Sequence, residues 1–237
     1  MASSAALEQF KESLQMAEEL LKIEKDNYKN PPRINEQKAV QGLRGGAAVL
    51  MVAAWENFLK QLVEEELTSL TTLPPKVPFE NLPPKMQQHS VFQTLERATK
   101  GPRFQPKNRI NRLPDIEQAC KVVISGTINP VAFSDIGSNP NPEVVKEMFR
   151  NMGISDIFEN IKDDFEKKWK NNVPTTFIND KLLEIINRRH VVAHKADALK
   201  ISRSDLNESV RFMKIIAPLL EKQLRFHINK IIRDRRE

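Results

Sequence analysis

The chain has 237 residues, a length that allows one large domain or two small ones and a core that needs no covalent staples. With 40% apolar and 29% charged residues it has a globular rather than a disordered composition, and its net charge of +6 favours an acidic partner such as nucleic acid. The longest apolar run, Ala47 to Trp55, is about half of the roughly 20 residues a membrane-spanning helix needs, and a lone cysteine, Cys120, excludes an internal disulfide.

Leu7, Phe10, Leu14, Ala17 and Leu21 recur at steps of three and four, which predicts an amphipathic helix, and Asn30-Pro31-Pro32 stops it. Glu8 interrupts the apolar N-terminus and no basic n-region precedes it, so no secretory signal is expected and a reducing cytoplasmic setting is. A second helix starts near Asn35 and runs to about Leu70, with Val40, Leu43, Ala47, Leu50, Ala54 and Phe58 as its stripe. Gly45-Gly46 inside it costs about 1 kcal/mol per glycine against alanine, which suggests close approach of another backbone. From Leu73 to Lys85 five prolines forbid a regular helix, giving a proline-rich loop at 73–86. The middle, from Gln87 to Asn141, reads as a short helix around Val91 to Ala98. A basic segment follows (Lys100, Arg103, Lys107, Arg109, Arg112), then a helix near Ile116 to Ile124. No strand pair is expected outside Lys121 to Ile124. Asn139-Pro140-Asn141-Pro142 sets a turn, with Pro142 suited to a first helical position. Helices then follow over Pro142 to Asn151, Ser155 to Lys170, Thr176 to Ala196 and Ser202 to Arg235. The last has one stripe, Leu206, Val210, Met213, Ala217, Leu220, Leu224, Ile228 and Ile231, and an expected kink at Pro218. The whole is an all-α bundle around the second helix, the one ending at Ala196 and the last, forming one domain over 1–237.

Cofactor chemistry has no foothold in this chain. It lacks a phosphate-cradling glycine loop, a GxSxG elbow and a CxxC pair, so no cofactor is expected. His190 and His194 stand at i, i+4, a chelating spacing on a helix, but the glutamate that a zinc protease carries after its first histidine is missing, and no metal site is expected.

What remains is Arg189 to His194. On a helix, Leu182, Ile185, Ile186, Arg189, Ala193 and Ala196 share one stripe, with Arg189 near its centre. A guanidinium cannot shed its charge. In an apolar face it must find a carboxylate such as Glu56, sit at a subunit interface, or await an anionic ligand. His190 and His194 flank the stripe about 40° apart. Imidazoles can move protons near neutral pH, and an arginine fork can stabilise a pentavalent phosphate, so the set suits cleavage of a phosphodiester without a metal. The nucleophile would be a ribose 2′-hydroxyl, so RNA is cut and DNA is not. A structural role for the same residues, such as a cationic histidine at a helix C-terminus, is the alternative.

Arg189-His190-Val191-Val192-Ala193-His194 resembles the Arg-x4-6-His motif of the HEPN superfamily, whose members usually carry a polar residue directly after the arginine. The wider chain resembles the RiboL-PSP-like branch in three stretches. These are Leu43-Arg44-Gly45-Gly46 leading into Val49 to Phe58; Asn139 to Glu143 with Gly153-Ile154; and Arg189 to His194 followed by Ile201-Ser202-Arg203-Ser204-Asp205-Leu206. The resemblance implies an all-α HEPN-like bundle forming a homodimer, with motif helices meeting at a cleft, and metal-independent endoribonuclease activity of a toxin or antiviral-defence kind. Arg189 and His194 match the motif's invariant positions and His190 its variable polar one. The implied partners are RNA, a second copy of the chain, and an antitoxin or defence-system protein. Some members of the superfamily are non-catalytic, so a helical dimer that binds a nucleotide or a partner protein is the alternative. The basic middle segment and Arg225, Lys230, Arg233, Arg235 and Arg236 either steer RNA or form a solvated basic face.

Overall fold

The structure, a computed structural model, describes residues 3–72, 77–100, 109–136, 139–195 and 201–234; the side chains of 109, 110 and 193–195 lie outside the description. Among the described residues it is all helix and turn, without a strand.

Helix α1 (Ala5–Asn27) starts at Ser4, whose hydroxyl accepts from the Leu7 amide at 2.9 Å. It buries Leu7, Phe10, Leu14, Ala17 and Leu21 against α2 (Gln37–Thr72), which enters through a 3-10 turn at Ile34–Glu36. α2 is the central element, contacted by α1, the short α5 (Pro130–Ser134), α8 (Phe177–Lys195) and α9 (Arg203–Asp234). Neighbours on several sides widen its buried face beyond the expected stripe. Leu43 and Leu50 are only half-buried, whereas Met51, Trp55, Leu59 and Leu62 are fully enclosed. Trp55 packs edge-on against Phe10 at 6.4 Å and beside Phe58 at 5.8 Å. The α1·α2 contact is the most extensive in the molecule, so α1 belongs with the core helices named from the sequence.

The middle of the chain departs furthest from expectation. Of the proline-rich loop, 73–76 lie outside the described residues, Phe79–Asn81 form a 3-10 turn, and Pro84 opens α3 (Pro84–Lys100), so the loop ends sooner than 86. Proline fits a first helical turn, where its missing N–H has no partner to lose. α3 is longer than the short helix expected because its first turns are largely polar, with Met86 and Ser90 facing inward. Lys121 to Ile124 form the end of α4 (Leu113–Ile124) rather than a strand. α5 was not anticipated; five residues are too few to show a period.

α6 (Pro142–Asn151), α7 (Ile157–Trp169), α8 and α9 follow the expected order. Asn141 caps α6 by accepting from the Val144 amide at 3.0 Å. Gly153 turns the chain between α6 and α7 at φ +89°, a left-handed conformation that glycine adopts without strain. His227 of α9 donates from Nε2 to the Met152 carbonyl at 2.9 Å and lies against the same turn. α9 runs through Pro218 as one helix and buries its stripe from Leu206 to Ile228. Trp169 ends α7 and packs beside Phe177 at the start of α8. It stacks on Phe165 at 5.6 Å, with the Arg211 guanidinium 4.3 Å above its ring.

Candidate active site

α8 carries the residues singled out for chemistry. Its N-terminal two-thirds is core-facing, with Leu182, Ile185 and Ile186 buried. One turn on, the stripe thins, and Arg189, His190 and Val192 are each half-buried. Arg189 therefore sits where the apolar face runs out. Among the described residues no carboxylate or hydrogen-bond acceptor holds it. The suggested counter-ion, Glu56, pairs instead with Lys60 at 2.6 Å. His194 lies five residues further along the same helix, about 7.5 Å of rise, and its side chain is outside the described residues, as are Ala193 and Ala196.

The adjacent arginine behaves differently. Arg188 also stands at a motif-compatible distance from His194, and sequence reading passed over it. It ion-pairs with Glu184 and donates from Nη1 to the Asp205 carbonyl at 3.1 Å and the Ser209 hydroxyl at 2.7 Å. This fastens α8 to the first turns of α9. A capping box shapes that turn: the Ser202 hydroxyl accepts from the Asp205 amide at 3.1 Å, and the Asp205 carboxylate accepts from the Ser202 amide at 3.2 Å. The Ser202 hydroxyl holds the Asp205 carboxyl below its ordinary range, outweighing partial burial, with Arg188 adding to the effect.

Behind the turn lies a buried ionic cluster. Glu24, with 0% exposure, accepts from Arg44 Nη2 at 2.8 Å and Nε at 3.2 Å, and from Arg203 through Nε and, at 3.1 Å, Nη2. Arg44 also donates to the Ile201 carbonyl at 3.1 Å and Asn30 Oδ1 at 3.2 Å, while Arg203 reaches the Tyr28 carbonyl at 3.0 Å. Burial alone would raise the Glu24 carboxyl; hydrogen bonds from Arg203 and Arg44, and their charges, hold it below its ordinary value. The signal for this cluster was in the sequence. Glu24 continues the α1 stripe three residues after Leu21, and Arg44 falls between the buried Val40 and Ala47.

Most of the basic residues proposed to steer RNA are engaged or undescribed. Arg225 pairs with Glu66 at 2.6 Å and Glu221 at 3.3 Å, Arg112 is buried against the Thr99 carbonyl, and Lys100 pairs with Glu96. Lys230 and Arg233 are exposed, whereas Arg103, Lys107, Arg235 and Arg236 lie outside the described residues, as does the Arg109 side chain.

The stretches that carried the resemblance thus have local physical reasons: Arg44 clasps Glu24, Asn141 caps α6, Gly153 turns beside His227, and Ser202 with Asp205 caps α9. A family model, RiboL-PSP-HEPN, matches residues 11–225. The chain belongs to the RiboL-PSP-HEPN family. No curated protein and no solved structure matches it. HEPN domains are generally associated with ribonuclease activity, often bind RNA and often form dimers, and the all-α bundle fits that family. None of the described helices of this HEPN protein is long and apolar enough to cross a membrane.

Proposed function

We propose that this HEPN protein is a metal-independent endoribonuclease whose reacting groups are Arg189, His194 and His190. The observation that carries the reading is the Arg189 guanidinium, which meets no carboxylate among the described residues although it stands on a helix stripe otherwise made of leucine, isoleucine and alanine. A charge placed so, with no carboxylate on it among the described residues, suits a phosphate of the ligand.

In the proposed reaction the ribose 2′-oxygen attacks the adjacent phosphorus, the P–O5′ bond breaks, and a 2′,3′-cyclic phosphate and a 5′-hydroxyl result. His194 takes the 2′-hydroxyl proton or gives one to the departing 5′-oxygen. Arg189 stabilises the extra charge on the pentavalent phosphate. His190 is a supporting phosphate ligand or the second proton carrier. In a homodimer two such sets would converge, their mutual repulsion relieved by a bound polyanion. A cytoplasmic toxin or antiviral effector, with an antitoxin or defence-system partner, is the biological setting this chemistry fits.

The test is cleavage of end-labelled single-stranded RNA in EDTA by the wild type and by His194→Ala. Wild-type products with cyclic phosphate ends, lost in the variant and absent from a 2′-deoxy substrate, support the reading. Equal cleavage by both removes the catalytic assignment, and RNA bound but never cut makes the protein a non-catalytic binding module.

A further inference from the structure

The Glu24 cluster, the capped first turn of α9 and Arg188 form a continuous path of contacts that ends one residue from Arg189. Glu24 on α1 grips Arg203 and Arg44; Arg203 lies in the first turn of α9, and Arg44 holds the carbonyl of Ile201 just before it. Ser202 and Asp205 lock that turn into one shape. Its Asp205 carbonyl and Ser209 hydroxyl then receive Arg188, and the Ser209 hydroxyl itself donates to the Asp205 carbonyl at 2.7 Å, so the two acceptors are mutually fixed.

Two features make this more than ordinary packing. The cluster puts two guanidiniums on one carboxylate, so a positive charge is left inside the protein, met by the carbonyls of Tyr28 and Ile201. An apolar trio of similar volume would hold the helices together without that desolvation cost, and a buried ionic group of this kind favours one arrangement over its near neighbours. The path also reaches α8 at Arg188, beyond the buried Leu182, Ile185 and Ile186, where among the described side chains the half-buried Val192 is what still packs against the core.

We infer that Glu24, Arg203 and Arg188 are positioning residues that set where Arg189 and His190 stand, with no contact of their own to the substrate. The inference rests on the ribonuclease reading for its kinetic arm and is independent of it for its exchange arm. Phosphodiester cleavage needs its groups aligned to within a fraction of an ångström, and displacement of about 1 Å costs up to roughly 100-fold in rate.

The experiment compares wild type, Arg203→Gln, Arg203→Lys and Glu24→Gln, each first shown to be folded. For Arg203→Gln, kcat on single-stranded RNA in EDTA is expected to fall about tenfold or more with KM within about twofold, and Arg203→Lys to recover part of the loss. Backbone amides of residues 186–192 should exchange faster in Arg203→Gln while those of 51–63 in α2 are unchanged. Should Glu24→Gln fail to fold, the two Arg203 variants decide. Unchanged exchange over 186–192 in folded Arg203→Gln overturns the inference, as does exchange that rises equally in α2, which would mark a purely structural cluster. If wild type cuts no RNA, the ribonuclease reading fails and the exchange result alone stands for or against the relay.

Discussion

Arg188 donates to the Asp205 carbonyl at 3.1 Å, and through that contact one of two consecutive arginines becomes part of the scaffold while the other meets no acceptor among the described residues. Arg188→Ala should leave the Ser209 hydroxyl and the Asp205 carbonyl without this partner and cost about 1–3 kcal/mol, read by urea denaturation. Arg189→Ala should change stability by no more than about 0.5 kcal/mol, yet lower RNA cleavage roughly 100- to 1,000-fold, the range seen when one transition-state donor is removed. The reverse pattern would exchange their roles.

Glu24 and Glu66 are both buried carboxylates facing arginine, and they differ in sign. Burial holds the Glu66 carboxyl above its ordinary value despite Arg225, helped by Glu65 and Glu221 nearby, whereas the two arginines keep Glu24 below. Glu24→Gln leaves two guanidiniums facing each other and is expected to cost about 3 kcal/mol or more at pH 7. Glu66→Gln removes a charge from an acidic cluster in which Arg225 keeps Glu221 and Glu65, and should be close to neutral or slightly stabilising. Thermal unfolding of the two variants side by side checks the contrast.

Burial lowers the pKa of both His89 and His227 below the ordinary 6.5, partly offset by the carbonyls of Ala132 and Met152. An unfolded chain takes up these protons near pH 6.5, the folded chain only at lower pH. Stability should therefore be complete above about pH 6.5 and fall as the pH drops through that value toward the folded-state pKa. Urea midpoints at pH 7.5 and 5.5 measure the slope, and His227→Gln should flatten it.

Two glycines should respond oppositely to alanine. A methyl group at Gly42, exposed on α2, would meet nothing within 4 Å, so Gly42→Ala should stabilise by about 0.5–1 kcal/mol. At Gly153, φ is +89° and the new carbon would stand 3.3 Å from His227 Nε2, so Gly153→Ala should destabilise by about 1 kcal/mol or more. Melting temperatures of the two variants settle the signs.

Helices with long apolar periods or clear caps were legible from residue order alone, as with Leu7 to Leu21, the Asn141 cap and the stripe of α9. α5 was not, because so short a helix is held by α2 and α3 rather than by its own pattern. At the candidate site, the oddity of a charge in an apolar stripe was visible at Arg189. The same oddity at Glu24 and Arg44 went unread, because its resolution joins α1 and α2 to Arg203 of α9, 179 residues from Glu24, and only folding brings them together. Arg188 was passed over for a related reason: spacing treats it and Arg189 alike, and only the position of α9 distinguishes them.

The chain has two tryptophans, and each is built into a different layer of the core. Trp55, enclosed between α1 and α2 with its indole nitrogen unpartnered among the described residues, should emit at short wavelength. Trp169 shares its ring with the Arg211 guanidinium beside α7 and α9. Trp169→Phe would leave one emitter watching the α1–α2 layer and Trp55→Phe one watching the contact of α7 with α8 and α9. A loosening of either layer would then show as a separate fluorescence transition.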